Sequence, residues 1–363
     1  MSVKSILLKI GLSGHGVVNY DSSDQRYAWN EMTKHTGAER ADHDNFSFAK
    51  HRWYISGKDA EGKPTYERKI VISADCLRHN FFIDDFLFQS PNVFAQRDIL
   101  NKMIASVGSL LRGYMFTQEG QAALKKKSAV AITEAEQTNG AVSSIETFSK
   151  SGHREVRVDE DDKADNSFFK RETIGDVTYE ATGVVDLKEL QFVSLSNLYD
   201  RMAVICDDFK AYYKPELEKA LGSTIQEPGY YIIKGSAVRL AEYGFMLTKE
   251  QVVFLVKELF SRILRTTITK TSNGHATVGS LQIKYVEDPL MDKISSSDGW
   301  AHIQDASTVS FEPEIYYEKV DPIQAKKDLE EIEAKQAALK KESKEKKAAE
   351  KEAKKAARAA KGV

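Results

Sequence analysis

The sequence predicts an α+β fold in which a sheet platform carries large polar insertions. Three observations lead there. β-prone segments recur between residues 4 and 286, two apolar stretches run at helical spacing, and the chain at 21–66 and 139–175 loses any apolar period.

Residues 4–12 alternate well enough to be the first strand, closed by Gly14 and Gly16. Residues 21–66 are polar and dotted with Tyr27, Trp29, Trp53 and Tyr54, and read as an insertion with a hairpin around Gly57–Gly62. Lys69–Ile72 is a second strand. Ser73 is placed to cap a helix from Ala74 to about Phe82. A longer helix is expected from about Val93 to Leu111, on the stripe Ile99, Leu100, Met103, Ile104, Val107, Leu110 and Leu111. Residues 128–133 are β-prone. The stretch 139–175 is rich in Ser, Gly, Asp and Lys and reads as a protruding hairpin. Val184–Leu195 reads as a strand pair, and Lys249–Leu264 as a strong amphipathic helix. Ile268–Lys270 and Leu281–Val286 flank the turn Asn273-Gly274-His275 as a last hairpin.

The 363 residues suffice for one large domain or two ordinary ones, and 41% apolar side chains suffice for a core. Residues 1–320 are read as one body. Residues 321–363 form a Lys/Glu/Ala-rich tail, helical or disordered, with ten basic and four acidic side chains from Lys340 to Val363. No run of eighteen apolar residues exists, so no membrane span is expected, and the first ten residues are too interrupted for a signal peptide. Cys76 and Cys206 form no zinc spacing and read as thiols of a reducing cytoplasm. The net charge of −2 argues against nucleic acid when taken alone. Basic residues nevertheless gather in particular cassettes, and a local basic groove is compatible with a near-neutral total.

Those cassettes are Ser13-Gly14-His15-Gly16-Val17-Val18-Asn19-Tyr20, Ile72-Ser73-Ala74-Asp75-Cys76-Leu77-Arg78-His79 and Gly108-Ser109-Leu110-Leu111-Arg112-Gly113-Tyr114. Each delivers a Gly, an Arg or a His beside the backbone, which suits a phosphate-sugar chain better than base edges. The glycines around His15 let backbone approach backbone or phosphate. Arg112 near a helix end is also favourable electrostatics by itself, and Tyr114 either stacks a base or closes the core. Lys125-Lys126-Lys127 precedes a β segment and is placed to track a backbone. Phe168-Phe169-Lys170-Arg171 joins aromatic and cationic groups, a pattern for base stacking, or else it anchors the hairpin. No Walker loop, dinucleotide fingerprint, zinc-protease motif or nucleophile elbow is present. No catalytic residue, metal ligand or cofactor is expected.

In matching order, Gly14-His15-Gly16-Val17-Val18-Asn19, Cys76-Leu77-Arg78-His79, Leu111-Arg112-Gly113-Tyr114, and Leu190-Gln191-Phe192-Val193-Ser194-Leu195 with Asp200-Arg201 resemble the backbone subunit of type I CRISPR surveillance complexes (Cascade). The minimal variant of subtype I-F is the nearest in pattern. The resemblance covers roughly residues 3–290 and assigns no role to the basic tail. It implies an RNA-recognition-motif-like, modified ferredoxin-like core with fingers at about 21–66 and a thumb at about 140–178. It also implies copies stacked as a filament along guide CRISPR RNA, a target DNA strand paired to that guide, and other Cascade subunits as partners. The expected RNA contacts are His15, Asn19, Ser73, Arg78, His79, Arg112, Tyr114, Lys126, Lys127, Phe168, Phe169, Lys170, Arg201, Lys270 and His275. The alternative is a type III-like subunit that cuts target RNA with a thumb aspartate, Asp165 or Asp176. A scaffold that binds no RNA would leave the clustered Arg and His residues unexplained.

Overall fold

The computed structural model describes residues 2–20, 46–83, 104–116, 124–141, 143–149, 168–196, 207–236, 240–270, 274–287, 292, 294–295, 297–332 and 334–335. Its centre is β1, Ser5–His15, whose Ile6, Leu8, Ile10 and Leu12 are buried while the intervening side chains are not. That period of two puts one face of the strand in the core. Over its whole length β1 pairs antiparallel with two other strands.

Along the chain the other strands that matter are β2 (His51–Lys58), β3 (Pro64–Ile72), β4 (Val130–Ile132), β5 (Ala135–Gln137), β6 (Ser143–Ser149), β7 (Phe168–Ile174), β8 (Asp176–Asp186), β9 (Thr267–Lys270) and β10 (Gly274–Val286). The largest sheet runs β9-β10-β1-β8-β5-β3-β2, with β4 also on β8. Its pairs are antiparallel. The result is a mixed architecture of antiparallel sheets and helices, compatible with the α+β expectation.

Helices α1 (Ala74–Phe81), α2 (Val107–Arg112), α3 (Leu187–Gln191), α4 (Asp207–Leu221) and α5 (Lys249–Leu264) supply the second layer. The bounds of α5 match its sequence pattern. Thr248 and Gln251 form a reciprocal capping box, and Val252, Leu255, Val256, Leu259, Phe260 and Ile263 are buried. Each such side chain contributes about 1.5–3 kcal/mol when removed from water. α5 touches β10 and each of the other four helices, so it organises the core. Ser73 caps α1 as expected, its Oγ accepting from the Cys76 amide at 3.3 Å.

Several expectations are corrected. β1 does not stop at residue 12 but runs to His15, and Gly16 turns the chain with φ 72°. The helix expected to run unbroken from about Val93 to Leu111 is interrupted at Ser106, which caps α2 by accepting from the Ser109 amide at 3.2 Å. Residues 84–103 lie outside the described part. The segment 184–195 is not a strand pair. Asp186 ends β8 and caps α3, accepting from the Lys188 amide at 3.0 Å. Phe192–Ser194 then joins a separate four-stranded sheet through Glu242–Met246. An Asp at a cap overrode the β propensity of its neighbours.

The two insertions take defined forms. The β2–β3 hairpin turns at Asp59–Gly62, where Asp59 Oδ1 accepts from the Glu61 and Lys63 amides at 3.0 and 2.8 Å. At its root β3 pairs with β5, so this hairpin extends the main sheet. Residues 21–45, the rest of the expected fingers, are not among those described. β6 and β7 pair antiparallel from Ser143↔Ile174 to Ser149↔Phe168, and Phe46–Ser47 adds a short parallel strand to β7. The tip, 150–167, is likewise outside the described residues. A buried ion pair links the hairpins. Arg68 on β3 donates to Glu172 on β7 at 2.6 and 2.7 Å, and Glu172 Oε2 also accepts from the Ala49 amide at 3.0 Å. Residues 322–332 of the expected tail are helical.

Candidate nucleic-acid interface

The helices cover one face of the main sheet. Alternation turns Ser13 and His15 of β1, Asp176, Thr178 and Glu180 of β8, and His275 and Thr277 of β10 to the other face, where all of them are exposed. Strand register makes His15 the direct neighbour of Asp176 on one side and His275 on the other. His15 Nδ1 lies 2.9 Å from Asp176 Oδ1. A recess of about 590 Å³ opens here, lined also by Ser13, Asn139, Thr178 and Thr277.

Two glycines let the backbones that carry His15 and His275 approach closely. A Cβ on Gly14 would stand 2.0 Å from the His275 carbonyl oxygen, and one on Gly274 would stand 2.2 Å from the Val17 carbonyl oxygen. Both positions require glycine because backbone passes backbone.

Asn19 and Ser73, distant in sequence, also come together. Asn19 Oδ1 accepts from the Ser73 amide at 3.1 Å, which ties the exit of β1 to the start of α1. Burial pushes the Cys76 thiol upward in pKa, while Lys270 and Lys50 pull it downward. Both ammonium groups therefore stand near the first turn of α1. His15, Asn19, Ser73, Lys270 and His275 thus share one end of the sheet, drawn from three sequence regions. Lys50 belongs with them and had no sequence signal. It reaches the place because its amide donates to the Asn19 carbonyl and its carbonyl accepts from the Val71 amide, each at 2.8 Å.

A second group lies about 12 Å along α1, its eight residues rising 1.5 Å each. Arg78 donates from Nη2 to the Arg112 carbonyl at 3.1 Å, closing the C-terminal end of α2. Gly113 has φ 73°, and a Cβ there would meet the Lys126 carbonyl oxygen at 2.4 Å. The chain thereby runs straight into the pairing Tyr114↔Lys126. His79 and Lys127 are exposed here, and Arg78 and Arg112 are half-buried. Lys127 Nζ lies 3.3 Å from Glu189 Oε1.

Two expected contacts are engaged within the fold itself. Lys126 is turned inward, and its ammonium donates to the Glu189 carbonyl at 2.9 Å, so it is committed to the fold. Tyr114 is partly buried and packs against the core. Its hydroxyl bonds that of Tyr213, and burial first, then this neighbour, holds its pKa well above 10.0. Phe168, Phe169 and Lys170 lie on β7 opposite Ser149, Phe148 and Thr147, which fixes their backbone alone. Arg201 falls outside the described residues. Among the described residues no three His, Cys, Asp or Glu side chains stand close enough to share a metal ion. None of the helices there is long and apolar enough to cross a membrane.

Comparison with known proteins places the geometry in context. Residues 2–319 match the model of the type I-Fv CRISPR-associated Cas7fv-like family. No curated protein matches the chain. Among solved structures, a chain of a CRISPR RNA-guided surveillance complex aligns over 78% of this chain and 71% of its own, at 10% identity and TM-score 0.35. A chain of such a complex in a pre-nicking state aligns over 78% and 79%, at 9% identity and TM-score 0.35.

Proposed function

The chain belongs to the type I-Fv CRISPR-associated Cas7fv-like family, and from that premise we propose that it grips the backbone of guide CRISPR RNA and repeats along it as the filament subunit of a DNA-targeting surveillance complex. The observation that carries the reading is the pairing of His15 with His275 on one open, hydroxyl-lined sheet face, with Lys50 and Lys270 at the same end of the sheet beside α1. That surface offers donors to phosphate and ribose and no array for reading base edges. A guide varies in sequence, so its holder must bind what every nucleotide shares, while pairing reads the target.

The sheet order β10-β1-β8-β5, with helices on one face, supports an RNA-recognition-like core. The β6–β7 hairpin supports a thumb, and the β2–β3 hairpin a part of the fingers. Further Cascade subunits and the target strand are partners in this reading, and the work is cytoplasmic. The chain itself is proposed not to cut RNA. Of the two candidate acids of the alternative reading, Asp176 bonds His15 through Oδ1, and Asp165 lies outside the described residues.

Salt-dependent binding tests the proposal. Arg112→Ala should weaken single-stranded RNA binding about equally for unrelated sequences and lower the salt slope by roughly one charge. A loss confined to particular sequences would refute backbone recognition. Labelled RNA incubated with the protein and Mg²⁺ should stay intact, and cleavage abolished by Asp176→Ala would favour the alternative.

A further inference from the structure

We propose that the recess at His15 is a ribose 2′-hydroxyl site that makes this chain prefer RNA to DNA. This rests on the RNA-backbone reading above and names what one of its surfaces recognises. The key is which atom of His15 is left over. Asp176 Oδ1 stands 2.9 Å from His15 Nδ1, and a carboxylate oxygen only accepts, so the Nδ1 carries the proton in that bond. In the neutral ring Nε2 is then an acceptor with no proton of its own. Phosphate oxygens also only accept, so they cannot satisfy that atom. A ribose 2′-hydroxyl can, because it donates as well as accepts.

The surroundings have the same character. Ser13, Thr178 and Thr277 present hydroxyls, and Asn139 an amide, around the two imidazoles. Asn139 is held in place. Its Nδ2 donates to the Asp176 carbonyl at 3.1 Å and its Oδ1 accepts from the Thr178 amide at 2.9 Å, which fixes the segment that carries the aspartate. His15 and Asp176 are both solvent-exposed, so their pair contributes little to the fold. Its consequence is chemical: it sets the tautomer of a ring that faces open space.

The experiment is fluorescence anisotropy with the full chain and three labelled oligonucleotides of one sequence: RNA, its all-deoxy form, and its 2′-O-methyl form, which lacks the hydroxyl proton. At about pH 7.5 the wild type should favour RNA over both others by about 2- to 10-fold per engaged site, the range of one hydrogen bond. His15→Phe and, separately, Asp176→Ala should bring that ratio toward one. Circular dichroism of the variants controls for folding. A wild-type ratio of one, or a ratio unchanged in His15→Phe, overturns the inference while leaving RNA binding standing. Failure to bind any of the three would instead overturn the reading on which it rests.

Discussion

Removing Arg68 should loosen the junction between the two hairpins more than any surface charge change. The Glu172 side chain is 5% exposed and that of Arg68 19% exposed, and two short hydrogen bonds join them. Arg68→Met keeps most of the aliphatic volume but leaves a buried carboxylate with the Ala49 amide as one remaining donor. Breaking a buried pair from one side costs about 3–5 kcal/mol, and the partial exposure of Arg68 places this case near the lower end, about 3 kcal/mol. Adding Glu172→Gln removes the stranded charge and preserves an oxygen for Ala49. The double variant should therefore recover part of the loss and sit about 1–2 kcal/mol below the wild type. Urea denaturation followed by tryptophan fluorescence measures all three proteins. Hydrogen exchange should show protection lost first in β3 and β7, with α5 unchanged. A single-variant cost under about 1 kcal/mol, the range of exposed pairs, would refute the claim that this pair is a buried joint. So would a double variant no more stable than the single one.

Three further outcomes are expected. Gly14→Ala should destabilise the fold by several kcal/mol, because its Cβ would meet the His275 carbonyl at 2.0 Å; a stable variant defective in RNA binding alone would show that the glycine serves a ligand instead. Replacing 150–166 by a short turn should leave the monomer's melting cooperative, since β6 and β7 pair outside it, and should abolish RNA-length-dependent assembly in size-exclusion chromatography with light scattering; ordered assembly on RNA would rule the hairpin out as a thumb. Stability should decline as pH climbs above about 10. Burial raises Tyr114, Tyr179 and Tyr213 above 10.0, and Tyr54 is pushed up to about 12 by burial and by its bond to Glu136. Unfolded phenols then ionise first, so this contribution is fully present below about pH 10 and is lost as pH rises through the folded values. A urea midpoint flat to about pH 12 would contradict it.

Elements with local signals were legible in the sequence. The apolar period and the Thr248-x-x-Gln251 box define α5, Ser73 announces α1, and Asp59 with Gly62 turns the β2–β3 hairpin. Each depends on residues within a few positions of one another, where propensity and capping act. The cassettes and the resemblance point to the site residues, and the two groups around α1 contain many of them. Their roles were not legible. Nothing near Lys126 in sequence says that it turns inward to Glu189, 63 residues away, while Lys127 stays exposed. Nothing near His15 names Asp176, 161 residues on, as its partner. Such contacts follow from register, and register follows from which faces of β1, β8 and β10 the core must bury. Local chemistry wrote the elements and their caps into adjacent residues; long-range burial alone decided which polar side chains met across the sheet.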